Sequence, residues 1–519
     1  MNTRKTKIVC SIGPCSNNDA TVAAMIKEGM NVARFNFSHG SHESHKEAMD
    51  RVKRVSAELG IPVAILLDTK GPEIRTGETK HNQKITINAG DKIEVVSDQS
   101  LCYGAEGGNC GHISLSWKEA AQKVKQGVKI LIADGLVELV VDSCDGTRIM
   151  CTASNSGSFS SKKNVNLIGI HEGLPIMSEQ DKKDIAFGAE QDVDFIAASF
   201  VSFPEEVVQI REYLAECRSR AKIIAKIESN EGLMNIDRII AESDGIMVAR
   251  GDLGVQIPME IVPLAQKKII SKCRHAGKPV ITATQMLDSM IQNPRPTRAE
   301  ATDVANAVFD GTDAIMLSGE TAGGKYPVEA VRTMALIAKT AEDSREYRLK
   351  MAQRNKLHAE EDTGDADIGL TVTRSAFAIA EAVKAKAIIT PTLHGNTTRL
   401  ISRFRPNQLI LAVTPDRKIA RQLLLNWGVI PMLCPIASDS DEMIQNSIKK
   451  AKDEGAVQFA DRVVVTASIP LHSPLMANNI KVLLVGTVLA RGTVRGFANS
   501  ARSQASGRII LASTILQEA

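Results

Sequence analysis

Aromatic side chains are scarce in this chain of 519 residues: 12 Phe, 4 Tyr and 2 Trp make up 3% of it. So few rings argue against the stacking platforms on which single-stranded nucleic acids bind. An excess of one charge is also lacking. Lys and Arg number 63 against 60 Asp and Glu, a net charge of +3 without a basic run, so neither nucleic acid nor an anionic membrane is implied as a partner. No apolar run reaches the roughly 18 residues that span a bilayer. Met1 to Lys7 is polar and passes straight into a strand-like run, which is not the pattern of a signal peptide. The nine cysteines are scattered without a CxxC pair, which fits a reducing cytoplasm better than a disulfide framework or a zinc site. The histidines are few and not paired at metal spacing, and both the GxxxxGK[ST] phosphate loop and the Gly-rich dinucleotide fingerprint are missing. Cys10 and Cys15 have no His or Asn partner in local pattern, so a cysteine nucleophile is not expected.

What is present is an ordinary globular composition, 43% hydrophobic and 24% charged, in a chain long enough for about three or four domains. Short apolar runs alternate with helix-like segments: Lys5 to Gly13, Met30 to Phe37 and Pro62 to Thr69 read as strands, with Asn18 to Glu28 and Ser44 to Leu59 as helices between them. The rhythm breaks between Arg75 and Glu172. Short alternating runs there (84–87, 92–96, 130–133, 136–142, 148–153), divided by turns such as Asp145-Gly146, suggest an inserted β domain. It resumes at Ser178, a plausible helix N-cap, with strands at Phe195 to Val201, within Ile223 to Pro258, at Pro279 to Gln285 and at Ala314 to Glu320. Eight strands with intervening helices predict a (β/α)8 TIM barrel, whose sites lie at the C-terminal strand ends. Gln353 to Asp367 reads as a linker. Strands near 387–390, 409–414 and 463–467 predict a further α/β domain.

The stretch Ile223 to Pro258 carries the most chemistry. It reads as strand–helix–strand, so its two strands are neighbours and parallel. Lys226 and Glu228 share a strand face, and Asp252 in Arg250-Gly251-Asp252 closes the next strand, which sets two carboxylates and a lysine at one sheet end. That set suits a divalent metal and a phosphate; a buried structural ion pair is the alternative. Strand two offers Arg34, Asn36 and Ser38, and strand three Asp68 and Thr69. The last four supply oxygens with one full negative charge, either a K⁺ site or a hydrogen-bonded polar rim. Thr284, Ser318 and Glu320 stand at the remaining strand ends, and Arg34, Lys226 and Arg75 are cations available to a transferring phosphoryl group. Lys162-Lys163 is either a solvated pair or the basic tip of a lid.

Long segments resemble pyruvate kinases over roughly residues 3 to 480: TKIVCSIGPCS from Thr6, GMNVARFNFSHG from Gly29, LLDTKGPEIRTG from Leu66, IIAKIES from Ile223, SDGIMVARGDLGVQIP from Ser243, ITATQMLDSM from Ile281 and PRPTRAEATDVANAVFDGTDAIMLSGETA from Pro294. The resemblance implies a (β/α)8 barrel with a β-barrel lid and a C-terminal α/β domain, in a homotetramer. Accordingly 1–71 and 173–350 are expected to form the barrel, 72–172 the lid, 351–482 the effector-type domain and 483–519 an extension. It implies phosphoryl transfer from phosphoenolpyruvate to ADP, giving pyruvate and ATP, the final step of glycolysis, with Mg²⁺ (or Mn²⁺) and K⁺. By the same resemblance Lys226 stabilises the transferring group, Glu228 and Asp252 bind Mg²⁺, Gly251 and Asp252 amides and Thr284 hold the substrate, and Arg34 contacts its phosphate. Asn36, Ser38, Asp68 and Thr69 match the K⁺ site; Asn36, Arg75 and Lys163 match nucleotide contacts. Glu73 resembles the potassium-requiring branch.

Several positions depart from the family pattern. Ser11 stands for a threonine, and Lys163 to Gly169 lacks the usual Gly after the lysine and Pro before the last glycine. Thr392, His394, Gly395, Asn396 and Thr397 resemble the phosphate loop for a sugar-phosphate or nucleotide effector, with His394 in place of a serine. The tail from about Leu483 resembles the start of a swivelling phosphohistidine domain but has no histidine after His472, so no phosphotransfer role is expected of it. A lyase or aldolase on the same barrel would also use Mg²⁺ but needs neither Lys226 nor the lid nor the K⁺ set. A catalytically weak relative would be expected to lack a metal ligand, and none is lacking.

Overall fold

Eight runs of four to six residues close into a parallel barrel: β1 Lys7–Ser11, β2 Val32–Asn36, β3 Ala64–Asp68, β4 Phe195–Ala198, β5 Lys222–Ile227, β6 Gly245–Ala249, β7 Val280–Ala283 and β8 Ala314–Leu317. Each strand pairs with its sequence neighbours, and β1 pairs with β8 to close the ring. The structure, a computed structural model, describes residues 4–98, 100–170, 173–361, 367–469 and 477–486. Every residue of β1, β3, β4, β6, β7 and β8 is buried. Parallel strands covered on both faces are continuously apolar, which is why these runs show no alternation.

Helix caps set the strand boundaries. The Asn18 side chain accepts the Thr21 N–H at the start of α1 (Asp19–Glu28), and Gly29 ends that helix in the left-handed region at φ 117°. Ser41 caps α2 (His42–Leu59), and Ser178 with Asp181 forms a capping box on α3 (Glu179–Glu190). At the N-terminal face of the barrel, an aspartate precedes each of β4, β6 and β8. Asp194 accepts the Ile65 N–H (2.9 Å), Asp244 the Ile223 N–H (3.0 Å) and Asp313 the Val280 N–H (3.2 Å). Each such charge-assisted bond contributes about 1.5–3 kcal/mol, and together they pin β3, β5 and β7 to their neighbours at the end opposite the site.

The insert has its own core, built from Ile93, Val95, Ile130, Leu139, Ile149, Phe159 and their neighbours. Its main sheet has seven strands in the order Ile74–Arg75, Asn164–Leu167, Lys129–Ile132, Val137–Cys144, Ile149–Ala153, Lys92–Val96, Gly111–Ser114. The first and last are tied by a Thr76–Leu115 bridge and by Gly77 N–H donating to Ser114 O at 2.8 Å, which rolls the sheet closed. Four short strands here, Ile74–Arg75, Gly111–Ser114, Gly157–Phe159 and Asn164–Leu167, do not follow from the sequence pattern.

The described residues fall into two compact units, Thr6–Arg348 and a second containing residues from Leu349 onward. The segment read as a linker from Gln353 begins inside a helix, Arg345–Glu361. Its Arg, Lys, Glu, Met, Ala and Leu residues are strong helix formers despite their charge, so charge density was the wrong signal for a break. In the second unit a five-stranded sheet runs Val429–Leu433, Leu409–Thr414, Ala387–Pro391, Arg462–Ala467, Asn479–Leu484, the last antiparallel. That closing strand runs two residues past the expected boundary at 482, because Leu483 and Val485 still pack on the domain core. The tail beyond 486, with its resemblance to a phosphohistidine domain, lies outside the described residues.

Candidate active site

The site grows from the C-terminal ends of β2 to β7. Lys226 and Glu228, two residues apart at the end of β5, face the same way, with Lys226 Nζ 3.1 Å from Glu228 Oε1. The same ammonium lies 3.1 Å from Asp68 Oδ1 at the end of β3 and donates to Ser199 Oγ at 2.7 Å. Arg34 on β2 completes the chain: Nε donates to Asp68 Oδ2 (2.6 Å) and Nη1 to Ser11 Oγ (2.7 Å). Ser11, the departure on β1, therefore retains the hydroxyl that holds Arg34. Asp68 and Glu228 are 1% exposed and Lys226 9%.

Burial opposes all three charges, and the outcome depends on partners. Burial raises the Asp68 carboxyl, but Arg34 and Lys226 outweigh it and hold its pKa below the ordinary value. Burial works against the Lys226 ammonium too, yet Asp68 and Glu228 keep its pKa raised. Glu228 shares Lys226, its one close cation among the described residues, with Asp68 and feels Asp252. Burial wins there, and its carboxyl is pushed up to about 7. A buried carboxylate short of positive charge beside a second acid is a donor set that a divalent cation completes. Glu228 Oε2 is aimed by the Phe200 N–H at 2.7 Å.

Asp252 lies in the first turn of α4 (Arg250–Gln256), which follows β6 directly. The Gly251 N–H donates to Thr284 Oγ1 at 2.8 Å, which joins that turn to the end of β7. Thr284 and Gln285 have φ of 70° and 52°, a strained conformation for a β-branched residue. Arg250 enforces it: Nε donates to Ala283 O (3.1 Å), Nη2 to Thr284 O (2.7 Å) and Nη1 to Asp303 Oδ1 (2.7 Å). The arginine is thus a structural clamp. Arg250→Met should lower kcat/KM by about 10²-fold through misplacement of Thr284, with Mn²⁺ affinity little changed; steady-state kinetics beside a Mn²⁺ titration checks this.

The alkali-type oxygens sit at the ends of β2 and β3 and on the loops that follow them. Asn36 is the register partner of Asp68, and Asn36 Oδ1 accepts the Ser38 N–H at 3.1 Å. The Thr69 carbonyl accepts from Ser199 Oγ at 2.7 Å. Three neutral oxygens and one carboxylate fit a monovalent cation. In the lid, Arg75 and Lys163 are on facing segments, Arg75 pairing in register with Asn164. The Arg75 guanidinium is held by Glu73 Oε2 and by Lys162 O (2.9 Å). Lys162 pairs with Glu78 at 2.9 Å. Asn164, where glycine is usual, folds its side chain onto the Asp134 turn, so the departure is absorbed locally. Lid and barrel meet where Gln256 Nε2 donates to Asn166 Oδ1 at 3.0 Å.

Not every residue proposed from the sequence joins this cluster. Glu320 accepts the Leu287 N–H (3.0 Å) and the Ser318 N–H (2.8 Å) and is 1% exposed; it ties two loops together. In the second unit, Gly395 has φ 83° and donates its N–H to Thr392 Oγ1 at 2.8 Å. Arg399 Nη1 donates to His394 O and Asn396 Oδ1, both at 3.0 Å, and Thr397 is buried. Sequence reasoning missed Ser199 and Phe200. No polar end residue was drawn from strand four, and Ser199 stands at its end.

An eight-stranded parallel barrel that gathers the buried Lys226, Asp68 and Glu228 and the half-buried Arg34 at its C-terminal strand ends, beside an inserted β domain, fits a phosphoryl-transfer enzyme. The comparisons agree on the family. The model described as "Pyruvate kinase, barrel domain" matches residues 3–331, and "Pyruvate kinase, alpha/beta domain" matches residues 371–483. A pyruvate kinase of Clostridium acetobutylicum is 47% identical over 483 residues, 93% of this chain and 100% of that one. One of Staphylococcus aureus is 45% identical over 517 residues, 99% of this chain and 85% of its own length. The crystal structure of a pyruvate kinase from Cryptosporidium parvum aligns with a TM-score of 0.86 at 41% identity, covering 93% of this chain and 96% of that one. The chain belongs to the pyruvate kinase family and is a phosphotransferase.

Proposed function

We propose that the cluster around Lys226 carries the family's reaction in this chain through the following residues. The phosphoryl group of phosphoenolpyruvate moves to a β-phosphate oxygen of ADP as the bond to the enol oxygen breaks; the enolate then takes a proton at carbon and becomes pyruvate. Lys226 and Arg34 bind the phosphoryl oxygens and answer the charge that develops on them. The Gly251 and Asp252 amides and Thr284 orient the carboxylate and the enolate carbon; Gly251 gives up its bond to Thr284 Oγ1 to do so. Glu228 and Asp252 hold Mg²⁺ or Mn²⁺, which when bound polarises and positions phosphoryl oxygens. Asn36, Ser38, Asp68 and Thr69 hold K⁺, while Asn36, Arg75 and Lys163 meet the nucleotide.

The observation that carries this reading is Lys226 Nζ, buried and shared between two carboxylates at 3.1 Å. A substrate phosphate competes for that ammonium. Pyruvate formation from phosphoenolpyruvate and ADP, measured with Mg²⁺ and with or without K⁺, tests it. Activity that requires both ions supports the assignment, and no pyruvate with all components present overturns it.

Three further statements belong to the same proposal. The enzyme acts in the cytoplasm; among the described residues no helix is long and apolar enough to cross a membrane. It works as a homotetramer. The Thr392–Thr397 loop takes the phosphate of a sugar-phosphate or nucleotide effector on backbone amides. Isotope-labelled effector retained by the wild type but not by a Gly395→Val variant supports the last point, and equal retention removes it.

A further inference from the structure

Both loops that carry the proposed K⁺ oxygens are held from behind by one face of α3: Asp181 and Phe187 touch them directly, and Asp184 through His42. Asp181 Oδ1 accepts the Gly71 N–H at 3.1 Å, fixing the chain two residues beyond Thr69. Asp184 Oδ1 lies 2.6 Å from His42 Nε2 and accepts Gln180 Nε2 at 2.8 Å. His42 in turn stacks on the Phe187 ring, with centroids 4.5 Å apart and planes at 16°. Between Asn36 and Ser38 stands Phe37, 9% exposed. Its ring packs at 5.9 Å from Phe187 and 6.0 Å from His42, and stacks on His45 at 4.1 Å. His45 Nε2 closes the loop onto His39 O at 2.7 Å. Asp181 and Asp184 are 1% and 2% exposed, so both acids face inward from the helix.

This arrangement is not needed to fold a barrel helix against its strand. Ile185 and Gly188, both buried on the same helix, already supply apolar packing. Asp181 Oδ2 caps α3 through Ser178, which leaves its Oδ1 for Gly71, while the buried Asp184 and two stacked histidine–phenylalanine pairs are a costly way to fill space unless their geometry matters. They connect to the Asn36–Ser38 loop and the Thr69–Gly71 loop and to no other described part of the site. A cation held mainly by neutral oxygens is chosen by ligand number and cavity size rather than by charge. The spacing of the two loops therefore decides which alkali ion fits.

We propose that the Asp181–Asp184–Phe187 face of α3 is a frame that sets the distance between the two oxygen-bearing loops, and that these residues, with His42 and Phe37, are positioning residues for monovalent-cation selectivity. The inference rests on the K⁺ reading of Asn36, Ser38, Asp68 and Thr69. Loosening the frame leaves every cation ligand in place but lets the cavity relax, so affinity for larger ions and discrimination against Na⁺ both fall.

The test uses the full-length protein and Tl⁺ as a K⁺ surrogate, with binding measured by equilibrium dialysis and mass-spectrometric counting, then displacement by K⁺ and by Na⁺. Asp184→Asn keeps the shape and weakens the His42 link; Phe187→Leu is a milder second variant should the first fail to fold. The expected result for either is a Tl⁺ Kd raised about tenfold and a smaller K⁺/Na⁺ displacement ratio, with Mn²⁺ affinity unchanged. A lowered melting temperature with wild-type Tl⁺ Kd and wild-type K⁺/Na⁺ ratio overturns the frame and leaves the cluster as packing. If wild type and Asp68→Asn bind Tl⁺ equally, the cation site itself is misplaced, and the frame falls with it for a separately visible reason.

Discussion

Replacing Lys226 by Met lowers the rate of phosphoryl transfer by about three orders of magnitude or more while Mn²⁺ still binds. Methionine has similar length and suits a buried position, so the change removes charge and three donors with little change in volume. In the metal-free protein the loss is felt twice. Asp68 retains Arg34 as its partner at 2.6 Å, whereas Glu228 loses its close cation and holds only the Phe200 N–H. Glu228 then takes up a proton more readily, so the apo variant stays folded as a neutral acid rather than as an unpaired buried charge. In the transition state no such escape exists. Charge spreads over the phosphoryl oxygens, Arg34 is the side-chain cation left to answer it beside the metal, and proton uptake elsewhere does not compensate. Pyruvate release in a coupled assay gives the rate, and the melting temperature reports folding. Mn²⁺ binding followed by water-proton relaxation shows whether Glu228 and Asp252 still chelate. Turnover within tenfold of wild type contradicts the role given to Lys226.

Much of this site was legible because barrel chemistry is written at strand ends. Lys226 and Glu228 fall at period two on a strand, and Arg34, Asn36 and Ser38 repeat the pattern, so their common faces follow from strand geometry alone. The eight strands were legible for a related reason: buried on both faces, they are unbroken apolar runs. Four of the short lid strands were not, among them Ile74–Arg75 and Asn164–Leu167, whose two to four residues show no clear period. The helix between β5 and β6 breaks at Asn235, though its apolar spacing through Leu233, Ile236, Ile239 and Ile240 looks continuous. Residues that act at long range were hidden for a different reason. His42 meets Asp184 across 142 positions and Arg250 meets Thr284 across 34, and no local pattern encodes a pairing fixed by which strands become neighbours. Ser199 was in view at a strand end, but serine is also one of the residues that turns commonly use.

With Glu228 as the proposed metal ligand, metal binding is expected to expel a proton below neutrality and not above it. Burial, with Asp252 opposing ionisation as well, pushes this carboxyl from an ordinary 4.5 up to about 7. At pH below 4.5 folded and unfolded chains both hold the proton, and the group does not alter stability. As pH rises from 4.5 to 7 the unfolded chain releases a proton that the metal-free folded chain keeps, so stability falls; above 7 the full cost of ionising a buried acid is present. Divalent metal reverses this, because only the carboxylate ligates. Added Mn²⁺ or Mg²⁺ should therefore raise the melting temperature more at pH 8 than at pH 5.5. Calorimetric titrations with Mn²⁺ in two buffers of different ionisation enthalpy should show close to one proton released near pH 6 and almost none at pH 8. Glu228→Gln mimics the neutral acid. It should flatten the pH dependence of apo stability, abolish the proton release and weaken Mn²⁺ by about two orders of magnitude, taking transfer with it. Proton release that is the same at both pH values, or that survives in Glu228→Gln, means that another group carries the linkage and that Glu228 is not the metal's buried ligand.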